Sequence, residues 1–314
     1  MAETMVVEQQ SVIDSPERDS RRVPGKTVAY ILIFIATLSW GANMVVAKVA
    51  LREFSPFVIG PLRIFWAGVI FCLLGVRVFR RRGNLYRRDG KMLFGLAVTG
   101  PVMTHLFFVT GMNLSSPFHA GLIYALGPVL VLLMASRLGM ESLTTAKISG
   151  AVVAFGGVAM LGSGEPPLQQ ENVWIGDLLL FCGASSFSIY TILAKKAAAK
   201  YDTMTLNAFT YLIAAVLVVP VLVATLPGAR LQDVSAVGWA AAGFILIFGA
   251  IIPYLLYYKA LARLSAARVA FFHYLEPLIA GTGSALLLHE AVTLRMGLAA
   301  VLILGGVYLA ERGR

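Results

Sequence analysis

Charged side chains are scarce in this chain. Asp, Glu, Lys and Arg make up 13% of its 314 residues, against about 25% in soluble domains. So small a supply cannot cover a water-facing surface, and a soluble globule is excluded. Cysteine is nearly absent as well: Cys72 and Cys182 each fall inside an apolar run, and with no paired spacing neither a disulfide framework nor a thiolate metal site is expected. Histidine is limited to four residues, and no phosphate loop of the form G-x-x-x-x-G-K-[ST], nucleophile elbow or metal-ligand cluster is present. Hydrolysis of ATP by this chain is therefore not expected, and neither is a cofactor or a bound metal. Any work it does draws on a gradient.

Apolar residues, by contrast, are abundant, at 58% with a mean hydropathy of +0.80. Crossing about 30 Å of hydrocarbon takes roughly 20 such residues in a helix. Continuous runs lie at about 27–50, 56–78, 91–112, 116–137, 145–163, 174–196, 203–226, 236–259, 266–288 and 292–311. They are too long, and alternate too little, for the strands of an outer-membrane barrel. The expected fold is an all-α polytopic membrane protein with ten transmembrane helices. Residues 1–26 mix Glu3, Glu8, Asp14, Glu17 and Asp19 with Arg18, Arg21, Arg22 and Lys26 and read as a disordered cytoplasmic tail. The first apolar run is too long for a cleaved leader, so its retention is expected.

The formal charge of +10 would suit a nucleic-acid partner if the basic residues formed one patch. Instead they alternate between the ends of the runs. With the N-terminus in the cytoplasm, 21 of the 26 Lys and Arg fall on the inner side, and seven of them crowd between Arg77 and Lys91. Only Lys48, Arg52, Arg230 and Arg295 fall outside, and Arg63 lies within a helix. This bias sets both termini inside and reads the basic cluster as a topology anchor beside anionic lipid, which removes nucleic acid from the partners.

A shift of 149 residues superposes Pro128 on Pro277, Glu141 on Glu290, Thr144 on Thr293 and Gly156-Gly157 on Gly305-Gly306. The chain is thus two repeats, at 27–163 and 174–311, of five helices each. Because five is odd, the second copy enters the membrane from the opposite side. Inverted repeats are a hallmark of secondary transporters, whose halves exchange conformations around a central site.

Several short motifs in this order carry a resemblance. They are Leu38-Ser39-Trp40-Gly41-Ala42-Asn43 with Lys48, Ser55-Pro56 with Arg63, Gly127-Pro128 and Leu138-Gly139-Met140-Glu141. The second half adds Gly176-Asp177-Leu178, Tyr274-Leu275-Glu276-Pro277 and Leu288-His289-Glu290. From about residue 30 to 311 the chain resembles the EamA-type family of the drug/metabolite transporter superfamily. The resemblance implies a ten-helix inner-membrane transporter with a cavity between its halves, commonly an exporter of amino acids or other small metabolites. The partners expected are a small-molecule substrate, the lipid bilayer and a proton or substrate counter-gradient, with a homodimer left open.

Polar groups deep in the runs are the candidate site, since a charge near mid-bilayer costs about 2.5–3.5 kcal/mol. Glu276 sits near the centre of the ninth run, just before Pro277, and is read either as a titrating or substrate-binding group or as an acceptor for a neighbouring helix. Arg63 sits about 10 Å in from the outer helix end. It can snorkel, pair with a buried acid, or hold a substrate carboxylate through its planar fork. Tyr124 and His273 occupy equivalent repeat positions, each four residues before its proline. Trp40, Asn43, His105, Tyr190 and Tyr254 complete the residues expected to line a pocket, with Lys48 and His119 as further candidates at its edge. Tyr257 and Tyr258, close to Lys259, read instead as interfacial anchors. Pro101, Pro128, Pro253 and Pro277 are expected bends, and helices three, four, eight and nine are expected to line the site.

The reading is a secondary carrier working by alternating access, with efflux expected, of an amino acid or related compound. Import of a vitamin or nucleoside-like compound is the alternative. An intramembrane enzyme would need paired acids, a metal set or a nucleophile with its base at one depth, and only scattered single groups are present. A channel or receptor is disfavoured by the repeat.

Overall fold

The computed structural model describes residues 24–82, 84–115, 117–162, 173–288 and 294–313, without the side chains of residues 48, 82, 117–119, 161–162 and 284–288. Among the described residues the chain is helical throughout and contains no strand. The first half comprises α1 (Lys26–Ala50), α2 (Pro56–Leu74), α3 (Val76–Arg82), α4 (Leu85–Ala97), α5 (Met103–Leu114), α6 (Pro117–Tyr124), α7 (Gly127–Arg137) and α8 (Thr145–Gly162). The second comprises α9 (Val173–Ala198), α10 (Thr203–Thr225), α11 (Ala236–Leu246), α12 (Ile252–Arg263), α13 (Ala266–Phe271), α14 (Leu275–Leu288) and α15 (Leu294–Arg312).

Among the described residues eight helical stretches are long and apolar enough to cross a membrane, and Thr145–Met160 is a shorter apolar helix. The ninth expected run is divided by a 3₁₀ turn over Phe272–Tyr274. Each half therefore contributes five helical segments. The third and eighth are each built around a π-turn, at Val98–Val102 between α4 and α5 and at Ile247–Ile251 between α11 and α12. Those two turns are 149 residues apart, like the repeat marks in the sequence. The first two helices of each half match at a shift of 147 instead, since α1 and α9 begin at Lys26 and Val173, and α2 and α10 at Pro56 and Thr203. The two extra residues fall between the start of α10 and the second π-turn, and the connection after α10 holds short 3₁₀ turns at Leu226–Gly228 and Leu231–Asp233.

Packing obeys the same two-fold relation. Helix α1 packs against α12 and α14, and its counterpart α9 packs against α5 and α7; α2 pairs with α10, and α8 with α15. The last two contacts lie on the pseudo-axis and depend on small residues. A Cβ on Gly68 would stand 2.5 Å from that of Ala215, and one on Gly150 would stand 2.5 Å from both the Gly306 carbonyl and the Ala310 amide. Gly157 and Gly306 are equally tight against α15 and α8, whereas Gly156, Gly297 and Gly305 have nothing within 4 Å. In lipid, helix association rests on such close van der Waals fits, because the tails are as apolar as the side chains.

Helix ends follow local chemistry. The side chains of Asp202, Ser235 and Ser265 cap α10, α11 and α13 by accepting the amides of Thr205, Gly238 and Arg268. Gly139 takes φ 66° after α7, and the Met140 amide reaches back to the Ala135 carbonyl at 2.8 Å, a left-handed termination that glycine adopts without strain. The third segment starts earlier than its apolar run, because α4 carries Arg87, Arg88 and Lys91 on a polar face. Asp89 breaks its dihedrals and is held by the Tyr201 hydroxyl and by Lys200 at 3.5 Å.

Candidate functional site

Between the two halves lies a cavity of about 140 Å³. Its wall draws on seven of the ten segments, all but α8, α10 and α15. Helices α1, α2 and α9 join the four expected segments because the two-fold packing sets α1 and α9 at the centre of the bundle. Trp40, Asn43, Arg63, His105, Tyr124, Tyr254, His273 and Glu276 all face the cavity. Tyr190 does not: it is fully buried behind Phe187, with ring centroids 5.6 Å apart. The Lys48 and His119 side chains lie outside the described residues.

Broken backbone shapes the wall. Pro101 lies inside the first π-turn and Pro253 just after the second, both behind the cavity surface. A π-turn leaves carbonyls without helical donors, and side chains from the opposite repeat supply them. The Gly249 carbonyl accepts the indole N–H of Trp40 at 3.1 Å, and the Thr99 carbonyl accepts the Ser186 hydroxyl at 2.9 Å. Pro128 and Pro277 line the cavity. The expected bend at Pro277 is a break one turn earlier, so the proline opens α14, where a missing N–H leaves no helical bond unmade. Its mate Pro128 opens α7 in the same way, so both breaks point short helix starts at the cavity.

Glu276 is thus in the first turn of α14 rather than mid-helix. It is 8% exposed, and its Oε1 lies 2.5 Å from His273 Nδ1. The His273 ring stacks on Trp40 at 5.3 Å. Across the cavity Arg63, 9% exposed, has no ion-pair partner among the described residues, and its Nε makes no hydrogen bond. The Asn43 Oδ1 and His105 Nε2 atoms are buried and without a partner as well. Carboxylate, imidazole, guanidinium and amide therefore surround a mainly apolar space. That combination can orient a small molecule by a few polar contacts while its body sits against hydrophobic side chains.

The cavity reaches Ala50 and Leu51 at the end of α1, Ile59 near the start of α2 and Met112 near the end of α5. These are the ends that the basic-residue count assigns to the outside. Toward the other side the cavity stops at packed aromatics. Tyr190, Tyr254, Tyr257 and Tyr258 are each at most 1% exposed, and Trp40 packs edge-on to Tyr254 at 5.7 Å. Tyr257 and Tyr258 are therefore not interfacial anchors. They share one face of α12 with Tyr254 at helical spacing, and that face turns inward onto α9. Thr191 and Tyr257 share a hydrogen bond of 2.6 Å, and Lys195 Nζ donates to the Leu261 and Leu264 carbonyls at 2.7 Å each. Nearby, Glu141 accepts the Ala267 amide at 2.8 Å and pairs with Lys147 at 3.1 Å, tying the end of α7 to the start of α13.

Sequence reasoning did not single out Phe187, Ser188 and Thr191 of α9, or Thr104 of α5, although all line the cavity. The signal was the spacing Ala184, Phe187, Ser188, Thr191, which follows one helix face.

The described residues form an all-helical bundle of two pseudo-symmetric halves with a polar-studded cavity between them. The EamA-like transporter family model matches residues 27–163 and 174–311, and the chain belongs to that family. An uncharacterized transporter of Archaeoglobus fulgidus is 26% identical over 288 residues, covering 91% of this chain and 99% of its own. The uncharacterized transporter YyaM of Bacillus subtilis is 22% identical over 253 residues, covering 80% and 83%. A solved crystal structure shares the fold with a TM-score of 0.74 at 21% identity, covering 91% of this chain and 97% of its own. The protein is a multi-pass membrane transporter.

Proposed function

We propose that this transporter is a secondary carrier that moves a small metabolite, an amino acid or related compound, outward across the inner (cell) membrane by alternating access. The observation that carries the reading is the one-sided cavity. It reaches the outer ends of α1, α2 and α5 and is closed beneath by the buried tyrosines of α9 and α12. A path open to both sides at once would make a pore, whereas a site open to one side needs a conformational exchange for each molecule carried. The inverted repeats supply that exchange, because each half can adopt the packing now held by the other. The outward direction is supported by the likeness to a family whose members commonly export.

The His273–Glu276 pair suits a coupling role. Proton uptake by the carboxylate would loosen its hold on the imidazole, and with it the stacking of His273 on Trp40, at the point where α1 meets α14. The test is counterflow in proteoliposomes. A carrier accelerates uptake of labelled substrate when the vesicles are preloaded with the unlabelled compound. Equal uptake with and without preloading would refute the carrier.

A further inference from the structure

We propose that Arg63, set beside Asn43, forms an anion subsite in the cavity, and that the compound carried is a carboxylate joined to an apolar body about the size of one aromatic ring. The proposal rests on the carrier reading above and narrows its substrate class.

Arg63 is more than nine-tenths buried, projects into the cavity and lacks an acid partner among the described residues. The described acids Glu53, Asp177 and Glu276 are engaged by other residues: Glu53 by Ser235, Asp177 by Ser115, and Glu276 by His273. A guanidinium cannot shed its charge by deprotonating. A buried and unbalanced charge of this kind is retained in a membrane where a partner arrives from outside the chain. Its planar fork matches the two oxygens of a carboxylate.

The surroundings are shaped for this contact. Gly249 presses against Asn43, where any side chain would collide with Oδ1, and its missing Cβ would stand 3.2 Å from Arg63 Nη1. A side chain at this position would push the Asn43 amide aside. Beyond the guanidinium the wall is apolar, with Ile59, Phe108, Val109 and Met112. The space of about 140 Å³ compares with the roughly 150 Å³ apolar cavity that accepts benzene. A ring fits.

Charge balance favours an anion. The charged and titratable groups on the wall are Arg63, His105, His273, Glu276 and the phenols Tyr124 and Tyr254, and the one carboxylate among them already faces an imidazole. An ammonium group would have to share Glu276 with His273, whereas a carboxylate meets an open counter-charge at Arg63.

The test uses the purified full chain in detergent, with calorimetric titration of benzoate, benzamide, benzylamine, phenylalanine and inorganic phosphate. Benzoate is expected to bind at least tenfold more tightly than each of the others. Arg63→Gln is expected to weaken benzoate at least tenfold while leaving benzamide unchanged, which loss of fold would not do. Arg63→Lys keeps the charge without the fork and falls between. If Arg63→Gln does not purify as a monodisperse protein, Asn43→Ala makes the same comparison. The proposal is overturned if no probe binds, if benzamide, phenylalanine or phosphate equals benzoate, or if the variants bind benzoate like the wild type. Counterflow read in parallel separates the two ideas. Benzoate binding without counterflow sinks the carrier and leaves the subsite, and counterflow of neutral compounds untouched by Arg63→Gln does the reverse.

Discussion

The crossing of α8 and α15 can be tested with two glycines on one helix. A Cβ on Gly150 would stand 2.5 Å from the Ala310 amide and from the Gly306 carbonyl, both backbone atoms that no rotamer change can move away. Ordinary contact lies at about 3.5–4.0 Å, so Gly150→Ala forces the helices apart by about 1 Å or bends one of them. Overpacking of that size costs about 1–3 kcal/mol, and the separation also weakens the neighbouring fit of Gly157 against Ile303. Gly156 has nothing within 4 Å and is exposed. There alanine brings only its better helix propensity, worth about 0.5–1 kcal/mol. The two substitutions share chemistry, helix and propensity gain, so their difference isolates the crossing. Gly156→Ala should raise the melting temperature in detergent slightly, Gly150→Ala should lower it, and their gap should correspond to about 1–3 kcal/mol once the unfolding enthalpy is measured. Equal melting temperatures would refute the close crossing.

Removing one partner of the buried Lys147–Glu141 pair, with side chains only 7% and 6% exposed, leaves an unbalanced charge. Lys147→Met should cost about 3–5 kcal/mol, and the double variant Lys147→Met/Glu141→Leu should regain part of it; a single variant as stable as the wild type would show the pair to be idle. At the outer surface the amide and hydroxyl of Ser235 hold the Glu53 carboxyl below its usual 4.5. A depressed folded-state pKa gives stability that is present above the unfolded value and lost as pH falls through the folded one. The melting difference between wild type and Glu53→Gln should therefore be constant at neutral pH and close below about pH 4.5, and a difference that widens in acid would contradict this. Glu276→Gln should abolish the pH dependence of counterflow, and full retention would exclude proton coupling through this carboxylate.

The ten apolar runs were legible because hydrocarbon imposes a length and forbids unpaired backbone, so hydropathy alone marks most segments. The backbone detail was less so. Pro277 announced an irregularity, but a proline reads alike as a kink inside a helix or as the first turn after a break, and the choice depends on what packs one turn earlier. Here the stacking of His273 on Trp40 accompanies the break. The start of α4 was hidden for a different reason: its first turn is amphipathic and basic, and a hydropathy window sees only the apolar part. Tyr257 and Tyr258 were misread because nearness to a lysine suggests an interface, whereas the i, i+3, i+4 pattern with Tyr254 records the face that is buried.

The displaced Tyr190 follows from the repeats themselves. At the 147-residue shift that relates α1 to α9, Trp40 corresponds to Phe187, Asn43 to Tyr190 and Met44 to Thr191. At the 149-residue shift that relates α5 to α12, His105 corresponds to Tyr254, Phe108 to Tyr257 and Val109 to Tyr258. In the second repeat these faces are in contact, Phe187 against Tyr257 at 5.8 Å and Tyr190 against Tyr258 at 6.0 Å, and they seal one end. In the first repeat Trp40, Asn43 and Met44 stand with His105, Phe108 and Val109 around the cavity. Two equivalent helix pairs are therefore related by symmetry in backbone and differ in side-chain contact, one zipped and one parted. Sequence can nominate both faces, since both carry aromatic and polar residues at the same spacing. It cannot say which is closed, because that is a property of the conformation and not of the residue pattern.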